Sequence, residues 1–223
     1  MLSAGAVEPG LVKVIDAFWH ETGHDVKVIF ATAPVIRKRL GGEAVDVVIA
    51  PPATLDELVK LRKAAAAERV TVGRIGVGVA VWGGAPLPKI GTVDEFKHSL
   101  LSAASVVYNQ ASTGIYLEGL FDRLGIGEEL KAKTTRYPDF AAVLAHMSKG
   151  RSNEIGLGAT TVIIEARSKG LQFVGRLPAE IQNYTTYAAT VLADGAAADA
   201  AREFVRFITT PPARAALASA GIE

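Results

Sequence analysis

Tyr108-Asn109-Gln110-Ala111-Ser112-Thr113-Gly114-Ile115-Tyr116 joins two segments of different periodicity. Before it, Ala103 to Val107 is a short apolar run of the kind that forms a buried strand. After it, Ile115 to Leu124 spaces its apolar residues as an amphipathic helix does. The stretch is therefore a strand-to-helix turn, and it is dense in hydroxyl and amide groups. A helix start leaves about four backbone N–H groups without an intrahelical acceptor and carries partial positive charge. Ser112 or Thr113 is expected to cap this helix, and Gly114 to let a ligand approach the backbone. Such a turn suits a carboxylate, a phosphate or another oxyanion. A capped helix start that binds nothing is the commoner case, so the rest of the chain must decide.

The same alternation recurs on both sides of this turn. Leu2 to Val7 has the composition of a first strand, Glu8-Pro9-Gly10 reads as a break, and Leu11 to Glu21 as a helix. Val26 to Ala31 is β-branched and alternating, and Thr32-Ala33-Pro34 turns it into a helix running to about Leu40. Val45 to Ala50 is a nearly continuous apolar run, with Asp46 the exception, as in a strand covered on both faces. Thr54-Leu55-Asp56-Glu57 and Thr92-Val93-Asp94-Glu95 both have the capping-box pattern of a helix start. Further on, Lys131 to Thr135 is expected to be a short strand, and Asp139 the N-cap of a helix from Phe140 to Lys149. Glu154 to Gly158 is a strand with the exit turn Ala159-Thr160-Thr161, and Leu171 to Leu177 is another strand. Alternating strands and helices imply parallel sheets with helices on both faces, and ligands outside the carboxyl ends of the strands.

Two segments lack turns and are long enough to cross between sheets, Val72 to Trp82 and Thr185 to Leu192. The first is interleaved with glycine. Gly73-Arg74-Ile75-Gly76-Val77-Gly78 is not a dinucleotide fingerprint, because β-branched residues follow it and no helix opens. It reads as a strand that another segment approaches closely. The expected organisation is two lobes, residues 1–78 with 190–223 and residues 79–189, forming a hinged clamshell with its ligand in the cleft.

Composition narrows the function. Among 223 residues the formal net charge is +1, so there is no electrostatic footprint for nucleic acid. There is no cysteine, which removes disulfides, zinc–thiolate sites and thiol catalysis together. No apolar run approaches the roughly 20 residues that span a bilayer, so no direct membrane insertion is expected. The first residues show no basic and apolar leader, which leaves a periplasmic location after leader removal or a cytoplasmic one. His20, His24, His98 and His146 have no spacing that suits a metal, and all four are expected at the surface, with no metal and no cofactor. No nucleophile elbow and no phosphate-binding Walker loop occurs.

Several motifs together resemble one family. They are Leu2-Ser3-Ala4-Gly5-Ala6-Val7, Val28-Ile29-Phe30 before a helix, Asp46-Val47-Val48-Ile49-Ala50, and Ser112-Thr113-Gly114-Ile115-Tyr116. Phe204-Val205-Arg206-Phe207-Ile208 followed by Pro211-Pro212-Ala213-Arg214, and the closing Gly221-Ile222, belong with them. Over essentially the whole chain these resemble the periplasmic molybdate-binding proteins of ABC importers, in the type II periplasmic-binding-protein superfamily. The resemblance implies an α/β, two-lobe clamshell with a helix-flanked β-sheet in each lobe. It also implies a receptor without chemistry of its own, which hands a small ligand to an ABC transporter permease.

Carried over position by position, the family's oxyanion contacts fall on Ala6, Ala33, Thr113, a residue near Phe140, and Ala159. Three of these are alanine where the family has a hydroxyl. A tetrahedral dianion held without cations needs a full set of donors. The departures therefore point away from molybdate and toward a larger organic anion or carboxylate. Thr32, Asn109, Ser112 and Thr160 are neighbouring donors, and Arg136 is a candidate partner for a carboxylate. Tyr108, Tyr137, Tyr184 and Tyr187 are available to stack on an organic ligand. The alternatives are a ligand-sensing regulatory domain of the same fold and an enzyme built on it.

Overall fold

The computed structural model describes residues 1–150 and 152–223. Its first elements are β1 (Leu2–Ala4), α1 (Glu8–Thr22), β2 (Ile29–Ala31), α2 (Ala33–Arg39), β3 (Val47–Ala50), α3 (Pro52–Lys60) and β4 (Val70–Trp82). Then come α4 (Val93–Ser102), β5 (Ser105–Asn109), α5 (Ser112–Arg123), α6 (Gly127–Lys131), β6 (Thr134–Tyr137) and α7 (Phe140–Met147). The last are β7 (Glu154–Ala159), α8 (Thr160–Glu165), β8 (Leu171–Arg176), β9 (Tyr184–Val191), α9 (Ala198–Phe207) and α10 (Pro211–Ser219). The chain divides into two units, one of Met1–Ile75 with Thr185–Glu223 and one of Gly76–Tyr184.

In the first unit the strand order is β2-β1-β3-β9. β1 pairs parallel with β2 and β3, and β9 is antiparallel to β3. Leu2, Val48, Ala50 and Ala188 pack against Ile36 and Leu40, and against Leu55 and Leu58 of α3. α1, α9 and α10 pack together as a second helical layer. Phe18 meets Phe204 edge-on at 5.1 Å and Phe207 at 5.3 Å. Each large apolar side chain buried this completely contributes roughly 1.5–3 kcal/mol of transfer free energy.

In the second unit the order is β6-β5-β7-β4-β8. β5 is parallel to β6 and β7, whereas β4 is antiparallel to β7 and β8. Alternate residues of each strand serve opposite layers, as strand geometry requires. Val77, Val79, Val106, Tyr108, Ile155 and Leu157 pack on α4, α5 and α6. Val107 and Ala80 pack with Val143, Met147 and Ile163 of α7 and α8.

Several local expectations are corrected. Glu8-Pro9-Gly10 is no break but the first turn of α1, where proline's missing N–H has no partner to lose. Thr54 does not cap α3: the helix starts at Pro52, so Thr54 lies inside its first turn and is buried. The strand expected at residues 131–135 begins only at Thr134, because α6 occupies Gly127–Lys131. Ile126 and Leu130, four apart, are both buried in the same core, which is helical spacing. By contrast, Thr92 does cap α4: its hydroxyl accepts from Glu95 N at 3.2 Å while Glu95 Oε2 accepts from Gly91 N at 2.9 Å.

Asp46 precedes β3 and is no defect in it. Its Oδ1 accepts from Ala197 N at 2.9 Å, ahead of α9. The glycine-rich β4 is indeed closely approached. Gly73 has φ +157°, and a Cβ there would lie 2.4 Å from Ile222 Cγ2. This lets Arg74 and Glu223 exchange backbone bonds of 2.7 and 3.0 Å, which tie the C-terminal residues to the strand.

Candidate ligand-binding turns

In the second unit three parallel strands lie side by side, so their exit turns share one edge. Asn109 of β5 is in register with Tyr137 of β6, and Tyr108 with Leu157 of β7. Asn109, Ser112, Thr113, Phe140, Ala159 and Thr160 are thereby brought to the same edge. None of the residues at 109–114, 138–140 or 159–161 is a Lys, Arg or His. The donors here are neutral hydroxyl, amide and backbone groups.

The start of α5 differs from expectation in two ways. Ser112 and Thr113 are its first two helical residues and do not cap it; the N-cap position is Ala111, which has no side chain to do so. The first intrahelical bond is Ile115 N to Ala111 O, 3.1 Å. The N–H groups of Ser112, Thr113 and Gly114 precede it and make no bond within the helix. Asn109 folds back on the turn, its Oδ1 accepting from Ala111 N at 3.1 Å. The Cβ side of Gly114 is taken by the chain itself. A Cβ there would lie 1.7 Å from Asn109 O and 2.9 Å from Asn109 C. The glycine lets the strand's own carbonyl sit against the helix.

On the neighbouring turns, Asp139 caps α7 through Oδ1 from Ala142 N at 2.8 Å. The Phe140 ring lies over Gly158, where a Cβ would be 2.6 Å from the ring. Thr160 follows Ala159 at the exit of β7. It is fully buried, and its hydroxyl has no hydrogen-bond partner among the described residues.

Arg136 is placed elsewhere. It shares a face with Tyr108, the face toward α5, and its Nη1 donates to Glu118 Oε1. Its guanidinium carbon stands 5.8 Å from the centre of the Tyr108 ring. Tyr108, Phe121, Glu118, Asp122 and Arg136 line a cavity of about 630 Å³ on this side of the sheet. Burial, then the charges of Glu118 and Asp122, push the Tyr108 phenol up to about 12, with Arg136 opposing. Tyr187 is also a core residue, and burial raises its phenol far above the usual range.

In the first unit the parallel strands β1, β2 and β3 likewise end at one edge. Ala6 lies in the 3-10 turn Gly5–Val7, Thr32 occupies the N-cap position of α2 without a side-chain capping bond, and Ala33 is the first residue of that helix. Thr54 has a buried hydroxyl without a partner among the described residues, as do Thr134 and Thr190. The sequence reading missed Thr54 by taking it for a cap. The other miss is His146: His20, His24 and His98 are exposed, but His146 is buried. Among the described residues no group of three or more His, Asp or Glu could hold a metal ion. No described helix is long and apolar enough to cross a membrane.

The profile of the family described as bacterial extracellular solute-binding protein matches residues 1–223. The chain belongs to this family. This solute-binding protein is also 30% identical to the aconitate isomerase of a Pseudomonas species, over all of this chain and 86% of the relative. Among solved structures it is similar to the periplasmic molybdate-binding protein of Azotobacter vinelandii, with a TM-score of 0.81 and 19% identity, covering 100% of this chain and 97% of the other. It is similar also to PEB3 with L-phospholactate bound, with a TM-score of 0.75 and 11% identity, covering 99% and 96%. At these identities the likeness is one of fold, and the solute-binding protein has the two-lobe α/β fold of the type II periplasmic binding proteins, molybdate-binding-like in architecture.

Proposed function

We propose that this protein captures a small organic anion bearing carboxylates at its strand-exit turns, on the outer side of the membrane, for delivery to an ABC transporter permease. The observation that carries the proposal is the start of α5. A 12-residue helix begins there without a side-chain cap, with three backbone N–H groups outside the helical ladder. Such a start favours an anion. The buried Thr160 hydroxyl on the adjacent turn would gain a partner from the same ligand. Ala6, Ala33 and Ala159 stand where the molybdate-binding family has hydroxyls. A bare tetrahedral dianion would therefore be short of donors, which favours a larger organic anion. The name of the whole-chain relative supports a tricarboxylate as the first ligand to test.

That relative favours one further reading, an isomerase acting on aconitate. It agrees with the same turns and differs only in what happens after binding. Calorimetry with cis-aconitate, trans-aconitate, citrate and molybdate tests the first reading, which expects carboxylates to bind and molybdate not to. Molybdate binding with no carboxylate binding would overturn it. Proton NMR of each aconitate isomer incubated with the protein tests the second: conversion makes the protein an enzyme, and an unchanged spectrum leaves it a binding protein.

A further inference from the structure

A chain of four polar side chains runs through the interior of the second unit, outside the turns just described. Tyr137 Oη lies 2.5 Å from His146 Nδ1, and His146 Nε2 lies 2.9 Å from Glu154 Oε2. Ser105 Oγ donates to the same carboxylate oxygen at 2.5 Å. Glu154 is 2% exposed and His146 is 9% exposed. The four residues come from β6, α7, β7 and β5, so the chain binds a helix to three strands.

The chemistry of the ends fixes the middle. A carboxylate only accepts hydrogen bonds, so the imidazole must present Nε2–H to Glu154. In the neutral ring Nδ1 then carries a lone pair, and it accepts the Tyr137 hydroxyl proton. In this arrangement each of the three contacts has one donor and one acceptor. With the proton on Nδ1 instead, Nε2 and the carboxylate would face each other as two acceptors.

Tyr137 connects the chain to the candidate site. It is the last residue of β6, and Pro138-Asp139-Phe140 follows. Its carbonyl accepts from Gln110 N at 2.8 Å, inside the turn that opens α5. Tyr137 and Phe140 both pack against the same core. We infer that His146, held as the Nε2–H tautomer between Tyr137 and Glu154, is a positioning residue for the β5–α5 and β6–α7 turns. It acts through Tyr137 and touches no ligand. The inference rests on those turns being the ligand site only for its effect on affinity. Its effect on the turns themselves is read without a ligand.

Three measurements test it. In protein labelled with ¹⁵N, the His146 ring is expected to show Nε2–H and an unprotonated Nδ1 near neutral pH; the opposite tautomer would overturn the inference. Hydrogen exchange at the Gln110 amide is expected to accelerate in Tyr137→Phe and in His146→Leu, about fivefold for the loss of one net hydrogen bond. In His146→Gln it should stay near the wild-type rate, because a carboxamide can donate to Glu154 and accept from Tyr137 with similar spacing. Equal acceleration in the Gln and Leu variants would mean that the imidazole acts by filling space, and the inference would fall. With trans-aconitate as the probe, affinity should follow the same order. If the wild-type protein does not bind aconitate, the proposed function fails, while the tautomer and the Gln110 exchange still decide this point.

Discussion

Replacing Gly114 by alanine should reverse the usual sign of a glycine-to-alanine change in a helix. Ordinarily the substitution gains about 1 kcal/mol, because glycine loses more backbone freedom on folding. At Gly114 the new methyl would begin 1.7 Å from Asn109 O, 2.9 Å from Asn109 C and 3.2 Å from Tyr108 Cδ2. The obstacle is a backbone carbonyl in the last residue of β5, so no rotamer change relieves it. The contact must open from 1.7 Å to about 3.0 Å before it is tolerable, which lifts the first turn of α5 off the strand. Overpacking of this kind costs about 1–3 kcal/mol, and a main-chain obstacle belongs at the upper end. After subtracting the helical gain, a net loss of about 2 kcal/mol is expected, or roughly 4–8 °C in Tm for a protein of this size. Gly119 in the same helix is the control. Its Cβ would meet only Arg123 Nη1, at 3.4 Å, the far end of a flexible side chain. Gly119→Ala should therefore be neutral or stabilising by up to about 1 kcal/mol. Urea unfolding of the two variants compares them directly, and calorimetry with aconitate shows whether the anion turn goes with the helix. If Gly114→Ala proves as stable as Gly119→Ala, the helix start does not rest on the Asn109 carbonyl and the geometry of the turn is wrong.

Thr160→Val keeps the shape and deletes the buried hydroxyl that lacks a partner. The ligand-free protein should lose nothing and gain up to about 1 kcal/mol, since no bond is broken and a desolvated polar group disappears. Aconitate affinity should fall by about tenfold if the hydroxyl binds the ligand, and unchanged affinity would remove Thr160 from the site. At high pH, ionisation of Tyr108 and Tyr187 should be delayed beyond that of a free phenol, seen as delayed phenolate absorbance. Both folded-state values lie above the unfolded value near 10, so between these values the folded state holds more protons than the unfolded. Their contribution is complete below about pH 10 and is lost as the pH rises through the folded value, about 12 for Tyr108. A melting temperature that stays flat from pH 10 to 12 would contradict the burial of both rings.

Most of the architecture was legible in the order of the residues, because strands and helices announce themselves by local periodicity. The strand expected at residues 103–107, the capping box at Thr92 and the cap at Asp139 depend on neighbours a few positions away; both caps appear where the pattern puts them, and the strand is present two residues later, at Ser105–Asn109. Element starts containing proline were harder. Glu8-Pro9-Gly10 and Pro51-Pro52 carry the same residues whether they break a chain or open a helix, and the following segment's packing decides between them. Lys131 illustrates the same limit, since it reads as the start of a strand and is the last residue of a short helix whose Leu130 shares a core with Ile126.

The candidate site divides along the same line. The sequence by itself determined the alternation of strand, turn and helix, the hydroxyl-rich turn at Tyr108–Tyr116, and the alanines that depart from the molybdate-binding pattern. Those are properties of adjacent residues. Only the tertiary structure decided that Gly114 faces Asn109 O, that Arg136 is turned to Glu118, and that His146 is wired to Glu154. Each of these partnerships joins residues on different elements, and strand register sets which side of the sheet a side chain serves. A shift of one residue in β6 would exchange the faces of Arg136 and Tyr137, and nothing in their immediate neighbours records that choice.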